Sequence, residues 1–168
     1  QNKHSANFML GVCDIFQTFP SFVYLIPVMM LFGITDTSVL IAVIVYATIP
    51  ATRYTIEGLR SVPAGLHDAA TMSGVNKFQR LTKIEFPLAF PHMMLGINQT
   101  IVFALFMVII GAFIGTEDLG QYILKALSDK KGAGIGLTLG ICVAFIALIF
   151  DNLIRAYVQK RKKHLGID

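Results

Sequence analysis

The sequence predicts an all-α membrane protein that crosses the bilayer several times. Of its 168 residues, 55% are hydrophobic and only 14% are charged, and the mean hydropathy is +0.67. A soluble domain carries roughly 25% charged residues. Four runs contain no charged residue, and they cover residues 15–35, 37–52, 86–116 and 132–150. Since a spanning helix needs about 20 apolar residues, we expect a polytopic fold with four transmembrane helices.

The first two spans follow from the first two runs. Pro20 and Pro27 lie in the first run, and proline usually kinks a membrane helix because it removes a backbone hydrogen bond. The second run is slightly short, but Arg53 can snorkel its charge to the interface. We therefore expect a second span from about Ser38 to Tyr54.

The segment over residues 53–86 is the most polar long stretch of the chain. Pro63 suits the first turn of a helix, and Ser61 is a candidate N-cap just before it. Gly74 is placed to end that helix in a left-handed conformation. A second helical piece over residues 77–85 then leads to Pro87, which can begin the third span.

The third and fourth spans are expected over residues 88–114 and 135–154, with a short helix near 122–127 between them. Gly111 and Gly115 lie four residues apart and would permit close helix packing. Asp151 and Arg155, also four apart, are expected to form a pair.

Two amides, Asn98 and Gln99, lie near the middle of the third span. A neutral amide in hydrocarbon needs a partner, so these side chains either bond to another helix or line a wet translocation path. Both interpretations stay open from the sequence.

The basic residues are distributed unevenly between the two sides of the membrane. If the loop over residues 53–86 is cytoplasmic, the other side keeps only Lys125, Lys130 and Lys131 of the 14 basic residues. The positive-inside rule therefore predicts a cytoplasmic loop and C-terminus. Anionic lipid beside the basic tail accounts for its charge, so a nucleic-acid partner is not expected. The inner basic residues are Lys3, Arg53, Arg60, Lys77, Arg80, Lys83, Arg155, Lys160, Arg161, Lys162 and Lys163.

No catalytic or metal-binding motif is present in the sequence. It contains no GxxxxGK[ST] phosphate loop, no HExxH, no GxSxG and no CxxC, so we expect no enzyme activity, no metal site and no bound cofactor. We interpret residues 1–168 as a single transmembrane domain. Because the chain begins at Gln1 and runs almost directly into a span, we expect it to be the C-terminal part of a longer subunit.

The polar loop carries a spaced motif. In the permease subunits of ATP-binding-cassette importers, the "EAA" loop reads Glu-Ala-Ala, three residues, Gly, nine residues, Ile, one residue, Leu-Pro. The loop here resembles it with every spacing kept, Asp68 standing for the Glu and Phe86 for the Leu. The matching residues are Asp68, Ala69, Ala70, Gly74, Ile84, Phe86 and Pro87.

This resemblance implies a type I importer permease core with a cytoplasmic coupling helix. The helix would dock into a cleft of a separate ATP-binding subunit, which binds and hydrolyses the ATP. Ala69 and Ala70 would then make the close contact, Gly74 the turn, and Asp68 a pair with a basic or hydroxyl group. Ile84 and Pro87 belong to the same motif.

Further segments are similar to the permeases of glycine betaine/proline/choline importers. The resemblance implies uptake of a quaternary ammonium osmoprotectant across the bacterial inner membrane. It also implies a homodimer of permeases, a substrate-binding protein and surrounding lipid as partners. An importer permease for another small solute, such as an amino acid or a sulfonate, is the alternative, and a secondary transporter is a more distant one. The matching segments are residues 17–27, 31–33, 53–55, 58–59, 62–63, 96–100 and 119–121.

Aromatic side chains are concentrated in the first span. In the binding proteins of such importers, aromatic rings hold a quaternary ammonium by cation–π attraction. Phe22 and Tyr24, with Phe16 and Phe19, could therefore offer a transient site on the translocation path. They could equally fill a helix interface.

Overall fold

The described part of the chain is helical throughout. The computed structural model describes residues 3–117, 119–129 and 132–165, and no strand occurs in these ranges. The all-α prediction is therefore confirmed for them. The α-helices in these ranges are α1 (Lys3–Thr18), α2 (Phe22–Phe32), α3 (Asp36–Arg60), α4 (Ala64–Met72), α5 (Lys77–Arg80), α6 (Phe86–Gly111), α7 (Leu119–Ser128) and α8 (Ala133–Leu165).

Three helical segments are long and apolar enough to cross a membrane. They are α3, the continuous segment Lys77–Ile114 that contains α5 and α6, and α8 over Ala133–Lys163. The pair α1 and α2 passes the same test only when taken together, and it is bent by 88°. The structure thus provides three spans, or four if the bent pair is one broken span.

The first span differs from the expected single kinked helix. Helix α1 begins at Lys3, well before residue 15, and the chain leaves helical geometry around Pro20. Proline has no backbone N–H, and it disfavours helical geometry in the residue before it, here Phe19. Pro27, in contrast, lies inside α2 without ending it.

Helices α3 and α6 pack closely along their length, and glycines permit the approach. A Cβ atom at Gly96 would lie 2.7 Å from the Cβ of Tyr54, and one at Gly111 would lie 2.7 Å from Cγ1 of Val39. The predicted packing role of Gly111 is confirmed. Gly115 does not share this role, because it follows the 3₁₀ turn Ala112–Ile114 with a φ of +88°.

Few large side chains are buried in this single chain. One core cluster joins Leu25, Val39, Ala42 and Met107, whereas α8 exposes residues such as Leu137 at 68%. An apolar outer surface of this extent is what a lipid environment requires.

The polar loop is shorter than predicted. Helix α3 continues to Arg60, so residues 53–60 are helical. Ser61 caps the end of α3, donating its hydroxyl to the carbonyl of Gly58 at 2.8 Å, and Pro63 occupies the N-cap position of α4. The prediction that Ser61 caps the next helix is wrong, because the preceding helix uses its hydroxyl.

The third span also begins earlier than predicted. Asn76 caps α5, its side chain accepting from the backbone N–H of Gln79 at 2.8 Å. A π-helical turn over Leu81–Glu85 then joins α5 to α6 without a break. Pro87 therefore lies inside a continuous helix near the start of α6 and does not begin the span.

The connection between α6 and α8 contains the expected short helix. Helix α7 covers the predicted residues 122–127 and starts three residues earlier. Gly120 brings it close to α6, because a Cβ atom there would lie 2.9 Å from the carbonyl oxygen of Val108. Asp118, Lys130 and Lys131, which the charge argument placed in this connection, lie outside the described residues.

Candidate functional site

Helix α4 presents the motif residues of the polar loop in two groups. Asp68 and Ala69 are exposed, as is Met72 at 91%, whereas Ala70 is only 4% exposed. The outward side of this short helix therefore combines one carboxylate, one methyl group and one flexible thioether. Ala70 is covered by the rest of the chain and is not free to make the predicted close contact with a partner, which stays a prediction for Ala69.

Gly74 ends α4 as predicted. Its φ is +69°, in the left-handed region that L side chains rarely adopt. On either side of Gly74, the backbone N–H of Ser73 donates to the carbonyl of Ala69 and that of Val75 donates to the carbonyl of Ala70, the latter at 3.2 Å. The glycine is exposed, and a Cβ there would meet no atom within 4 Å, so its role is conformational.

Glu85 joins the loop to the start of α6. Its side chain is only 6% exposed, and Oε1 lies 3.2 Å from Nδ1 of His67 and 2.9 Å from Nε of Arg80. The Arg80 contact is an ion pair whose N–H direction does not meet hydrogen-bond geometry. We call these three residues the Glu85 clasp. It connects α4, α5 and the π turn through one buried carboxylate.

The sequence reasoning passed over Glu85, which it treated as the spacer between Ile84 and Phe86. A signal was available, since a carboxylate directly before a charge-free run of this length must find a partner. Ile84 and Pro87 themselves are half-buried beside it. These two motif residues therefore lie apart from the exposed surface that Asp68 and Ala69 form on α4.

Asn98 bonds across helices. Its Nδ2 donates to Oδ1 of Asp151 on α8 at 2.5 Å, and Asp151 also accepts from Nε of Arg155 at 2.8 Å. Both the interhelical interpretation of Asn98 and the pairing of Asp151 with Arg155 are confirmed. The role of Asn98 in a translocation path stays a prediction.

Gln99 lies against a different set of residues. Successive residues of a helix point about 100° apart, so Gln99 points away from the side on which Asn98 meets α8. It lines a cavity of about 530 Å³ between α1, α3 and α6. We call this cavity the Arg53 pocket. Its lining residues are Gln17, Pro50, Arg53, Tyr54, Glu57, Gln99 and Phe103.

Arg53 organises the polar side of this pocket. Its Nη1 donates to Oδ1 of Asp14 and to Oε1 of Gln17, both at 2.7 Å, and its Nε donates to Oε1 of Glu57 at 3.0 Å. The sequence reasoning assigned Arg53 to the membrane interface. The contact with Asp14 depends on how α1 packs against α3. The contact with Glu57 lies within α3 at i,i+4 spacing, so the sequence offered a signal for it that was passed over.

The aromatic residues of the first span are mostly packed against one another. Tyr24 is 8% exposed, and its ring lies 6.1 Å from that of Phe16 and 5.2 Å from that of Tyr46. Tyr46 in turn stacks on Phe103, a wall of the Arg53 pocket, with centroids 4.9 Å apart. Phe22 contacts Phe113, far from this row. The structure therefore separates the two predicted path residues Phe22 and Tyr24.

These features define a class of protein. Membrane-length helices, with an exposed short helix held beside the base of one of them, describe a polytopic membrane protein. The chain belongs to the family of binding-protein-dependent transport system inner membrane components, whose profile matches residues 1–163. This is the permease family of ATP-binding-cassette importers, whose members are transport components and not themselves catalysts.

Relatives within this family have named substrates. The trimethylamine N-oxide permease protein TmoV of Pelagibacter ubique is 92% identical over 167 residues, which is 99% of this chain and 23% of the relative. The glycine betaine/proline betaine permease protein ProW of Escherichia coli is 36% identical, over 93% of this chain and 44% of the relative. The carnitine permease protein OpuCD of Listeria monocytogenes is 30% identical, over 92% of this chain and 69% of the relative. The chain thus spans about a quarter of the length of TmoV.

Proposed function

We propose that the chain is the membrane core of a permease subunit that imports small methylated amines, with trimethylamine N-oxide as the first candidate. The named substrates of the three relatives support this substrate class. Trimethylamine N-oxide, glycine betaine and carnitine each combine a methylated, positively charged nitrogen with an anionic oxygen. Choline, proline and other amino acids, which the sequence resemblance also suggested, lack one of these two features.

The single observation that carries the transport mechanism is the exposed helix α4 tied to the base of α6. In our proposal, the side of α4 that bears Asp68 and Ala69 docks on an ATP-binding subunit. A displacement of α4 reaches α6 through the Glu85 clasp, because Glu85 holds His67 of α4 and is itself continuous with α6. The clasp therefore acts as a mechanical link between the docking helix and a spanning helix.

The proposal includes an orientation. The end of the bundle that carries α4 and the C-terminal part of α8 holds most of the basic residues and is assigned to the cytoplasm of a bacterial inner membrane. The opposite end, with Asp36, Gly115 and α7, is assigned to the side where a substrate-binding protein delivers the solute. A second permease copy and membrane lipid complete the assembly.

The transport cycle is alternating access. ATP binding closes the ATPase dimer, the two α4 helices move with it, and the pathway opens to take solute from the binding protein. Hydrolysis resets the inward-facing state. The energy comes from the partner, and this chain contributes the pathway and the docking surface.

An uptake assay with the complete subunit tests this function. The permease, its ATPase and its binding protein are reconstituted in liposomes with ATP or a non-hydrolysable analogue inside, and labelled trimethylamine N-oxide is supplied outside. We expect uptake only with ATP and binding protein, inhibited by unlabelled glycine betaine or carnitine if these are also substrates. ATP-independent uptake would contradict the mechanism, and uptake of an amino acid in place of every methylated amine would contradict the substrate class.

A further inference from the structure

The Arg53 pocket combines polar groups and aromatic rings near one edge of the hydrocarbon core. At 1.5 Å per residue, Arg53 lies roughly 26 Å along α3 from Asp36. That position is near the far edge of a hydrocarbon core about 30 Å thick. Intramembrane ionisable residues generally face a wet cavity and mark a pathway for solutes or ions.

The polar groups of the pocket are only partly used within the chain. Arg53 bonds through Nε and Nη1, which leaves its Nη2 donors uncommitted among the described residues. Asp14 and Glu57 contribute two carboxylates against this one guanidinium, so the cluster carries one surplus negative charge. The cavity therefore offers both a hydrogen-bond donor for an anionic oxygen and a negative potential for a cation.

The apolar wall of the pocket is aromatic. Phe103 and Tyr54 line it, and the Tyr46 ring stacks on Phe103 with an interplanar angle of 21°, which holds the Phe103 ring in place. An aromatic face next to a carboxylate attracts a methylated ammonium through cation–π and charge interactions. The volume of about 530 Å³ lies within the roughly 300–1,000 Å³ of small-molecule sites.

We propose that the Arg53 pocket is a transit site for the imported solute. The methylated nitrogen lies against Phe103 and Tyr54 near Glu57, and the anionic oxygen meets Arg53 and Gln99. This inference rests on the proposed function, because it takes its ligand class from there. It also assigns a role to Gln99 that differs from that of Asn98, which is committed to Asp151.

A structural role alone explains the pocket less completely. An ion-paired cluster that only joined α1 to α3 would need Asp14, Arg53 and Gln17. It would need neither a second carboxylate nor an aromatic wall, and it would favour well-packed apolar neighbours.

Binding to the complex without its binding protein tests the site directly. The probe is glycine betaine, detected by saturation transfer from the detergent-solubilised permease–ATPase complex to its methyl protons. Its carbon analogue 3,3-dimethylbutyrate keeps the shape and the carboxylate but lacks the positive charge. We expect millimolar binding of glycine betaine and about tenfold weaker binding of the analogue. Trimethylamine N-oxide is tested in the same way. Equal binding of glycine betaine and its analogue, or binding of neither glycine betaine nor trimethylamine N-oxide, would overturn the proposal without requiring any variant.

Variants then locate the site. Phe103→Leu should weaken glycine betaine binding about tenfold, whereas Phe103→Tyr, which keeps the ring, should stay within about twofold. Phe113→Leu is the matched control, since it removes an equally large ring that contacts Phe22 away from the pocket. Unchanged binding in Phe103→Leu, or equal losses in all three variants, would refute the assignment.

The two proposals fail separately. A wild-type complex that imports methylated amines but shows no charge-dependent binding refutes only the transit site. A wild-type complex that imports none of them refutes the proposed function, whatever the binding experiment reports.

Discussion

At the scale of single residues, two carboxylates connect elements that are distant in the sequence. Glu85 contacts His67 of α4 and Arg80 of α5, and Asp151 accepts from Asn98 of α6 as well as from Arg155 of its own helix. The Glu85 side chain is nearly buried, and the Asp151 side chain is about three-quarters buried. Unpaired charges in such places are costly, so these contacts specify how the helices are arranged.

Glu85→Gln should loosen the polar loop. The amide keeps the shape of the side chain but removes the charge that Arg80 and His67 share, at a cost of about 1–3 kcal/mol. We expect faster tryptic cleavage after Lys77 and Arg80 in the solubilised complex. We also expect weaker stimulation of ATP hydrolysis by the loaded binding protein.

Glu117→Gln serves as the control for Glu85→Gln, because Glu117 is exposed at the other end of the bundle. It should leave the cleavage rate close to wild type. Equal cleavage rates in the two variants would show that the clasp does not hold the loop.

Asn98→Asp should destabilise the contact between α6 and α8 more than Asn98→Leu does. The aspartate would bring a second carboxylate to Oδ1 of Asp151, where the amide now donates at 2.5 Å. The leucine deletes that hydrogen bond without adding a charge. It also removes the Oδ1 of Asn98, which is buried without a hydrogen bond, and this offsets part of the loss. At neutral pH we expect the highest Tm for wild type, a lower one for the leucine variant and the lowest for the aspartate variant. The free energies of unfolding of the two variants should differ by about 1–3 kcal/mol. The reverse order would contradict the assigned contact.

At the scale of elements, α3 and α6 form the central pair of the described chain. Small residues let their backbones approach, as lipid provides little hydrophobic force between membrane helices and close packing must replace it. Gly96 against Tyr54 and Gly111 against Val39 are the tightest points of this contact. The spacing between the two helices therefore depends on the absence of side chains at these glycines.

Gly96→Ala should force the two helices apart. The new Cβ would lie 2.7 Å from the Cβ of Tyr54, and overpacking of this kind costs about 1–3 kcal/mol. Gly140→Ala in α8 is the matched control, since a Cβ there meets nothing within 4 Å and alanine favours a helix over glycine by about 1 kcal/mol. In a thermal stability assay of the solubilised permease, we expect a lower Tm for the first variant and an equal or higher Tm for the second. Identical Tm values for Gly96→Ala and wild type would contradict the packing account.

At the scale of the whole molecule, the motif residues and most basic residues are concentrated at one end of the bundle. Exposed α4 residues, the Glu85 clasp and the basic C-terminal part of α8 all lie at that end. The Arg53 pocket and the Asn98 contact lie deeper, on two sides of α6. A movement of α4 that reaches α6 would therefore act on both, which connects the docking surface to the proposed transit site.

Local signals in the sequence predicted most elements but not their contacts. Charge-free runs identified α3, α6 and α8, and Gly74 identified the end of α4, because these depend on composition and on backbone freedom. The break at Pro20 follows from the proline itself, whereas the 88° angle between α1 and α2 and the early start of α1 have no local signal in the sequence. The contacts of Glu85 with His67, of Asn98 with Asp151 and of Arg53 with Asp14 depend on how helices are rotated against one another, which no local pattern encodes. The Arg53–Glu57 pair, in contrast, has the i,i+4 spacing of a single helix.

The most direct test of the central claim is whether transport depends on the outward side of α4. Ala69→Arg and Ala69→Ser are compared in the complete reconstituted importer, by measuring ATP-driven uptake and the stimulation of ATP hydrolysis by the loaded binding protein. Because Ala69 is exposed, a large charged side chain there should leave the subunit folded but block docking. We predict at least a tenfold loss of both activities for arginine and less than a twofold change for serine. Wild-type uptake and stimulation with arginine at residue 69 would contradict the account.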